Sequence, residues 1–566
     1  MHKKQGSFYF YNNFFPSGMA IAKRVVYSFL MRPFHIFVIF ALMIFPALEA
    51  PLRSEVETQA SQPRYGGTLR LASYGKPAPF DPFNVTDTIS APLMALLFNK
   101  LIRFNGEGAY EPDLAERWEI SEDGLVYTFH LRRDVKFHDG TSCTSKDVMH
   151  SLQLFKNPKV SPVYHKYFDI VEKMEAPSDF IFRITLKEPY SSFLSSVWIV
   201  KIVPERKLDN EENRKNFIEH PIGTGPFKFG YRESSGDIFF LSHEDYHEGR
   251  PYLNSLMIRS LSKDQVWAAF LRGEIDIAFY LQPEHQREIK EDPSFQIFRA
   301  PSLSSYVLIF NLENKLFADK RVREAFAYAI NRDELMRELE DGRGIPANGP
   351  FFPHSWAFNP AVKDSLYDSA KALELLKQAG FEQGEEGLSR EGKKLTLEIT
   401  LAGNNDHLLR MAKLIRQQLQ EIGIQTKFSF YSNFDELAAR VYQKGDFQIH
   451  LCTYHAPLEP YVAGEQWHSQ QKRAHYAMRG YQNKEVDGLL DSIRRETSEE
   501  KRKESYYKIH SLIESDRPAV FLYFPYVFFA AAKNFHVPGT LFSPVIPYYH
   551  LKDVYVVESQ PQAEGG

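Results

Sequence analysis

Apolar and polar positions alternate with period two in "GTLRLAS" (67–73) and "LVYTFHLR" (125–132), the pattern of strands with one buried face. "SAPLMALLFNKLI" (90–102) instead repeats every three or four residues and predicts a helix. Three longer stretches carry the same helical spacing: "DKRVREAFAYAINRDELMRELE", "YDSAKALELLKQAG" and "DHLLRMAKLIRQQLQEIG". The last two end at Gly380 and Gly423, where a left-handed C-cap is expected, and each is followed by a strand-like run, "KLTLEITLA" and "IQTKFSFYS". Helices alternating with strands predict an α/β unit over 306–520. The apolar run "AVFLYFPYVFFAAA" (519–532), broken by Pro525 and flanked by charge, is expected to be core strands crossing between two lobes.

At 566 residues the chain exceeds what one hydrophobic core supports, so more than one lobe is expected. Lys23, Arg24 and Arg32 precede "PFHIFVIFALMIFPALEA", the charged, apolar, small order of a secretory signal over 1–50. The apolar run falls short of the ~20 residues a membrane span needs. Without 1–50, 63 basic residues face 71 acidic ones, which gives no electrostatic footprint for nucleic acid. Cys143 and Cys452 are the only cysteines and make no disulfide framework; neither follows the apolar run, so a lipoprotein is not expected. A soluble periplasmic protein fits, with 51–64 as a flexible leader.

The chemistry of catalysis is not legible: GxSxG, P-loop and CxxC patterns do not occur, there is no HExxH helix, and no enzyme is expected. "EDG" (122–124) and "HDG" (138–140) are turns, with glycine supplying positive φ. In "GTGPF", Gly223 and Gly225 allow a tight turn near the join of two lobes. In "GEIDIAF", Ile275, Ile277 and Phe279 alternate with Asp276 and Ala278 and predict a strand with one buried face. Gln448, His450, Cys452 and Tyr454 share a strand face, with His455 beyond, but a buried-core role outweighs a metal site; His468 and His475 read as a solvated loop.

Four phrases in order, "EPDLAERWEISEDGLVYTFHLRRDVKFHDGTSCTSKDV" (111–148), "HPIGTGPFKF" (220–229), "RGEIDIAF" (272–279) and "FADKRVREAFAYAINRDEL" (317–335), resemble the family 5 extracellular solute-binding proteins of ABC importers, over 65–550. The resemblance implies an α/β two-lobed clamp of the periplasmic-binding-protein kind, with an extra domain inserted in the first lobe. Mapped onto this chain, lobe I is 65–105, 216–305 and 521–560, the insert 106–215 and lobe II 306–520. It implies a monomer that captures oligopeptides for a membrane permease, without a cofactor. Alternatives are a non-peptide cargo (a metal complex, haem, an opine or glutathione) or a ligand-sensing module for a membrane receptor.

In peptide-binding members, the strand matching "DFQIHLCTY" leads to an aromatic and, three residues on, an aspartate that holds the peptide's ammonium. Tyr454 matches the aromatic, but Pro457 stands in the acid's place and Glu459 is the nearest carboxylate. Glu459 either replaces that aspartate or the cargo has no amine to hold. The expected ligand contacts are Lys76 and Pro77 of the early cleft loop, Ser304 beside His455, Tyr306, Tyr454, His455 and Glu459.

Overall fold

The computed structural model describes residues 63–557, except 85–86, 88, 106–107, 209, 364–365, 386, 471–477 and 540–547. The secretory segment expected over 1–50, nearly all of the leader at 51–64, and His475 lie outside the described residues.

Two large sheets organise the chain. The first runs in the order Phe295–Pro301, Tyr523–Ala532, Ile277–Ala278, Thr68–Tyr74, Ser255–Leu261, Ile238–Ser242, Phe227–Arg232, and Gly344–Pro346 pairs on Tyr523–Pro525. The second runs Gln425–Tyr431, Thr396–Ala402, Ile449–His455, Ser304–Phe310, Ala519–Phe521. A four-stranded antiparallel sheet, Ala115–Ile120, Val126–Leu131, Ile181–Leu186 and Val171–Ser178, stands apart from both. The apolar run at 519–532 gives one strand to each large sheet, with Leu522 between them. The molecule is a mixed α/β clamp of two lobes.

The second sheet is covered on both faces, which is why its strands read as continuous apolar runs. Leu308, Phe310, Ile449, Leu451 and Val520 pack on one side with residues of helices Lys320–Ala329, Arg332–Glu340, Ser369–Gln378 and Asp406–Glu421. Val307, Ile309, Tyr454 and Phe521 pack on the other with residues of Lys484–Ile493 and Glu499–Asp516. Gly380 and Gly423 take φ of 89° and 85°, and the amides just beyond them return to Leu376 and Leu419, so both helices end as their glycines predict. The 320–340 run divides in two because the Asn331 side chain accepts the Glu334 amide and starts a second helix.

The "EDG" and "HDG" turns form as expected, with Gly124 at φ 68° and Gly140 at φ 85°. One other expectation needs correction, and the glycines of "GTGPF" have a further physical reason. The "GEIDIAF" segment is not a half-exposed strand: Asp276 is as buried as Ile275 and Ile277, and only Ile277–Ala278 pair in the sheet. Asp276 lies inside because Arg70 donates to it from its backbone amide (2.7 Å) and from its guanidinium (3.0 Å from Nε). In "GTGPF" the glycines permit close approach and do not supply positive φ. A Cβ on Gly223 would overlap the Leu97 carbonyl oxygen, and one on Gly225 that of Leu96, at the end of helix Ser90–Leu97.

Strand direction fixes where the sheets meet. Phe295–Pro301 is antiparallel to Tyr523–Ala532, which is antiparallel to Ile277–Ala278; that strand is parallel to Thr68–Tyr74, which is parallel to Ser255–Leu261. Their C-terminal ends therefore point the way 295–301 points, into the second sheet at Ser304. In that sheet, Ile449–His455 is antiparallel to Ser304–Phe310 and parallel to Thr396–Ala402, which is parallel to Gln425–Tyr431. Those carboxyl ends point back, so the sheets face each other across a crevice lined by strand ends, where open α/β sheets bind ligands.

Candidate functional site

On the second lobe's edge, Ser304 and His455 are register partners, and Ser304 Oγ lies 3.3 Å from His455 Nδ1. His455 is open to water, yet the protein around it desolvates its imidazole and lowers its pKa, favouring the neutral ring. Tyr306 stacks on His407 (centroids 5.1 Å) and meets Tyr523 edge-on (5.2 Å). His407 Nε2 lies 3.2 Å from Glu340 Oε1, and the Tyr523 hydroxyl donates to the same oxygen at 3.1 Å. Burial, and secondarily the Glu340 charge, raise the Tyr306 pKa, so its phenol stays protonated as a donor. Its ring is thus held by two neighbours at the start of a strand.

The first lobe's edge holds Tyr74, at the end of its strand, and Tyr280, just after Ile277–Ala278. Tyr74 donates to the Phe279 carbonyl at 2.8 Å, and the two tyrosine rings lie 6.4 Å apart. Lys76 is exposed, and its methylenes lie beside Gly236. Pro77 is buried, and its carbonyl accepts from Arg232 at 2.8 Å. Its ring is therefore a packing element of the loop, which departs from the expected ligand contact.

Tyr454 departs further. It is 3% exposed, donates to the Ala463 carbonyl at 3.0 Å, accepts from Trp467 Nε1 at 3.2 Å and packs edge-on to Phe521. The pleat turns it away from the crevice into the core under helix Pro460–Glu465.

Glu459 does not lie open in the crevice. Its Oε2 accepts from the Tyr110 hydroxyl at 3.0 Å and its Oε1 from Ser192 Oγ at 3.2 Å. Tyr110 also shares a 2.7 Å hydrogen bond with Ser195 and stacks on Phe104 (4.4 Å). Leu458 lies so close to Gly108 that a Cβ there would press on its side chain. The turn after the second lobe's central strand thus touches the segment entering the four-stranded sheet and the helix Phe193–Ile199 after it.

His450 is buried beside the Tyr431 hydroxyl (3.4 Å), and burial brings its pKa down to about 4. Burial pushes the Cys452 thiol up to about 12. A thiol that stays protonated does not favour a metal at neutral pH, and among the described residues no group of three or more His, Cys, Asp or Glu is arranged to hold an ion. His468 lies 3.7 and 3.6 Å from Asp487 and Asp491.

Tyr74, Tyr280 and His407 join the site without having been singled out in the sequence. His407 follows the capping Asn405, and its place at a strand-to-helix turn was a usable signal.

The family profile described as bacterial extracellular solute-binding proteins, family 5 Middle, matches residues 109–467. The oligopeptide-binding protein AppA of Bacillus subtilis is 28% identical over 520 residues, 88% of this chain and 93% of that protein. The glutathione-binding protein GsiB of Pectobacterium atrosepticum is 27% identical, over 82% of this chain and 90% of that one. Among solved structures, NikZ of Campylobacter jejuni in complex with Ni(L-His) superposes with a TM-score of 0.70 at 27% identity, covering 86% of this chain and 99% of NikZ. With the match spanning more than half of its length and the two-lobed clamp in place, the chain belongs to family 5 of the bacterial extracellular solute-binding proteins, the solute-binding components of ABC transporters.

Proposed function

We propose that this protein captures a peptide or other small solute in the crevice between the two sheet edges and delivers it to the permease of an ABC importer. In this reading lobe I comprises 65–105, 216–305 and 521–560, lobe II 306–520, and 106–215 is a domain inserted in lobe I. The protein works as a periplasmic monomer without chemistry of its own. Ser304, Tyr306 and His455 are cargo contacts, Lys76 stands at the mouth, and closure is a hinge motion. The observation that carries the reading is the Tyr306 ring, fixed between His407 and Tyr523 on a strand end that faces the opposite lobe.

The bonds from Tyr110 and Ser192 support a second element: Glu459 joins the two halves of the closed clamp and is not the anchor of a cargo amine. A carboxylate that already accepts two hydrogen bonds gains less from an ammonium than an open one.

Native mass spectrometry of protein purified from its own periplasm tests the reading. A set of peptide masses, with a thermal shift on adding them back, is the expected result. A ligand at about 100 times its Kd stabilises a binding protein by roughly 2.7 kcal/mol. A single non-peptide mass would redirect the cargo, and binding unaltered by Tyr306→Ala would remove the crevice as the site.

A further inference from the structure

Tyr280 combines three properties that packing alone does not reconcile. It is one of four described non-glycine residues with positive φ, at 59°. That conformation costs a side-chain-bearing residue free energy and favours Gly, Asn or Asp. A residue is usually held there because the surrounding fold fixes it, and such residues cluster at ligand sites. The ring it carries is not buried in exchange, since Tyr280 is 58% exposed.

The backbone around it is fixed on each side. The Tyr74 hydroxyl donates to the Phe279 carbonyl, and the Leu281 amide donates to the Phe528 carbonyl at 2.9 Å. Its ring lies 6.4 Å from Tyr74 and 6.1 Å from Phe529, so two aromatic rings stand beside it while more than half of its surface remains exposed. By strand direction this ring stands at the edge that faces Tyr306 and His407.

We infer that Tyr280 is a specificity residue of the crevice, which presents a flat, uncharged face to a planar group of the cargo such as an aromatic side chain. The inference rests on the crevice being the cargo site. Two aromatic surfaces, Tyr280 with Tyr74 and Tyr306 with His407, stand on facing edges, and aromatic rings favour offset or edge-on contact with another ring. A charged group placed against Tyr280 and Tyr74 would lose hydration without gaining an opposite charge from those two rings.

The test uses Tyr280→Gly, which removes the ring and relieves the backbone, and Tyr280→Phe, which keeps the ring. Probes are the tripeptides Ala-Phe-Ala and Ala-Glu-Ala, measured by calorimetry on the full mature chain. The expected result is that wild type prefers Ala-Phe-Ala by at least about tenfold, that Tyr280→Gly abolishes this preference and that Tyr280→Phe retains it. The melting temperature, which needs no ligand, should be unchanged or higher in Tyr280→Gly. A lower melting temperature would make the ring a stabilising element and overturn the inference, whatever the binding data. A preserved preference in Tyr280→Gly would overturn it as well. If wild type binds neither tripeptide while Tyr306→Ala removes the cargo retained through purification, the crevice stands and the aromatic preference fails. If Tyr306→Ala leaves that cargo in place, the crevice reading fails and the inference with it.

Discussion

The phenol of Tyr110 donates a 3.0 Å hydrogen bond to the carboxylate of Glu459, joining residues 349 positions apart. Burial, and after it the Glu459 charge, hold the Tyr110 pKa well above its ordinary value, so the proton stays on the donor. Removing either partner should loosen the closed clamp. Hydrogen bonds to charged groups contribute about 1.5–3 kcal/mol, and a double-mutant cycle with Tyr110→Phe and Glu459→Gln should return coupling of that order. Ala-Ala-Ala and its N-acetylated form should weaken together, with X-ray scattering showing a more open chain. Selective loss of the free-amine peptide would return Glu459 to the role of ammonium anchor.

Acid should destabilise the protein from about pH 6.5 downward. Burial lowers the pKa of His450 and His510 to about 4 and that of His138 to about 3. Above pH 6.5 both folded and unfolded imidazoles are neutral and contribute nothing. Below it the unfolded chain takes up protons that the folded one refuses, so stability falls until pH reaches the folded values. In His510, beside the desolvation that lowers its pKa, Nδ1 accepts the Asn359 amide at 3.0 Å, a bond that a protonated ring cannot keep. Urea titrations should find the loss between pH 6.5 and 4 smaller in His450→Gln by roughly 2–3 kcal/mol.

Gly223→Ala should cost about 2–4 kcal/mol, because the new methyl meets backbone that cannot yield. Gly488 is the control: it lies in helix Lys484–Ile493, has nothing within 4 Å of a built Cβ, and has an ordinary φ. Gly488→Ala should stabilise by about 0.5–1 kcal/mol. Chemical denaturation of both variants gives the comparison, and equal effects would refute the close-approach account.

Both thiols should be inert in the native state. Burial raises the Cys143 pKa well above its ordinary value and that of Cys452 to about 12, and the thiolate is the reactive species. A disulfide reagent at pH 8 should label neither within minutes and both in denaturant. Rapid labelling of Cys452 in folded protein would contradict the raised pKa of its half-buried thiol.

Features set by local backbone chemistry were legible before any coordinates. Gly380 and Gly423 end their helices because positive φ is a property of the residue, and Ser304 meets His455 in the pairing of strands 304–310 and 449–455, as the family resemblance implies. What escaped depends on partners distant in sequence. Asp276 reads as an outward-facing polar residue until Arg70, 206 residues earlier, is beside it. Tyr454 was placed in the crevice, but Trp467 and Ala463 hold it in the core. The strain at Tyr280 leaves no mark in the sequence, because tyrosine has no special tolerance for that conformation.

The strand Tyr523–Ala532 lies between Phe295–Pro301 and Ile277–Ala278 in the first sheet. Its position has a consequence in time. Thr68–Tyr74 and its neighbours emerge early in synthesis, but the gap in their sheet is filled only by residues made more than two hundred positions after 301. Until then Phe295–Pro301 has no neighbour, and the first lobe cannot complete itself in the order it is made. Completion of the first sheet is deferred to the end of the chain, and a truncation before residue 523 leaves that sheet with an open seam between Phe295–Pro301 and Ile277–Ala278, whereas the second sheet loses at most an edge strand.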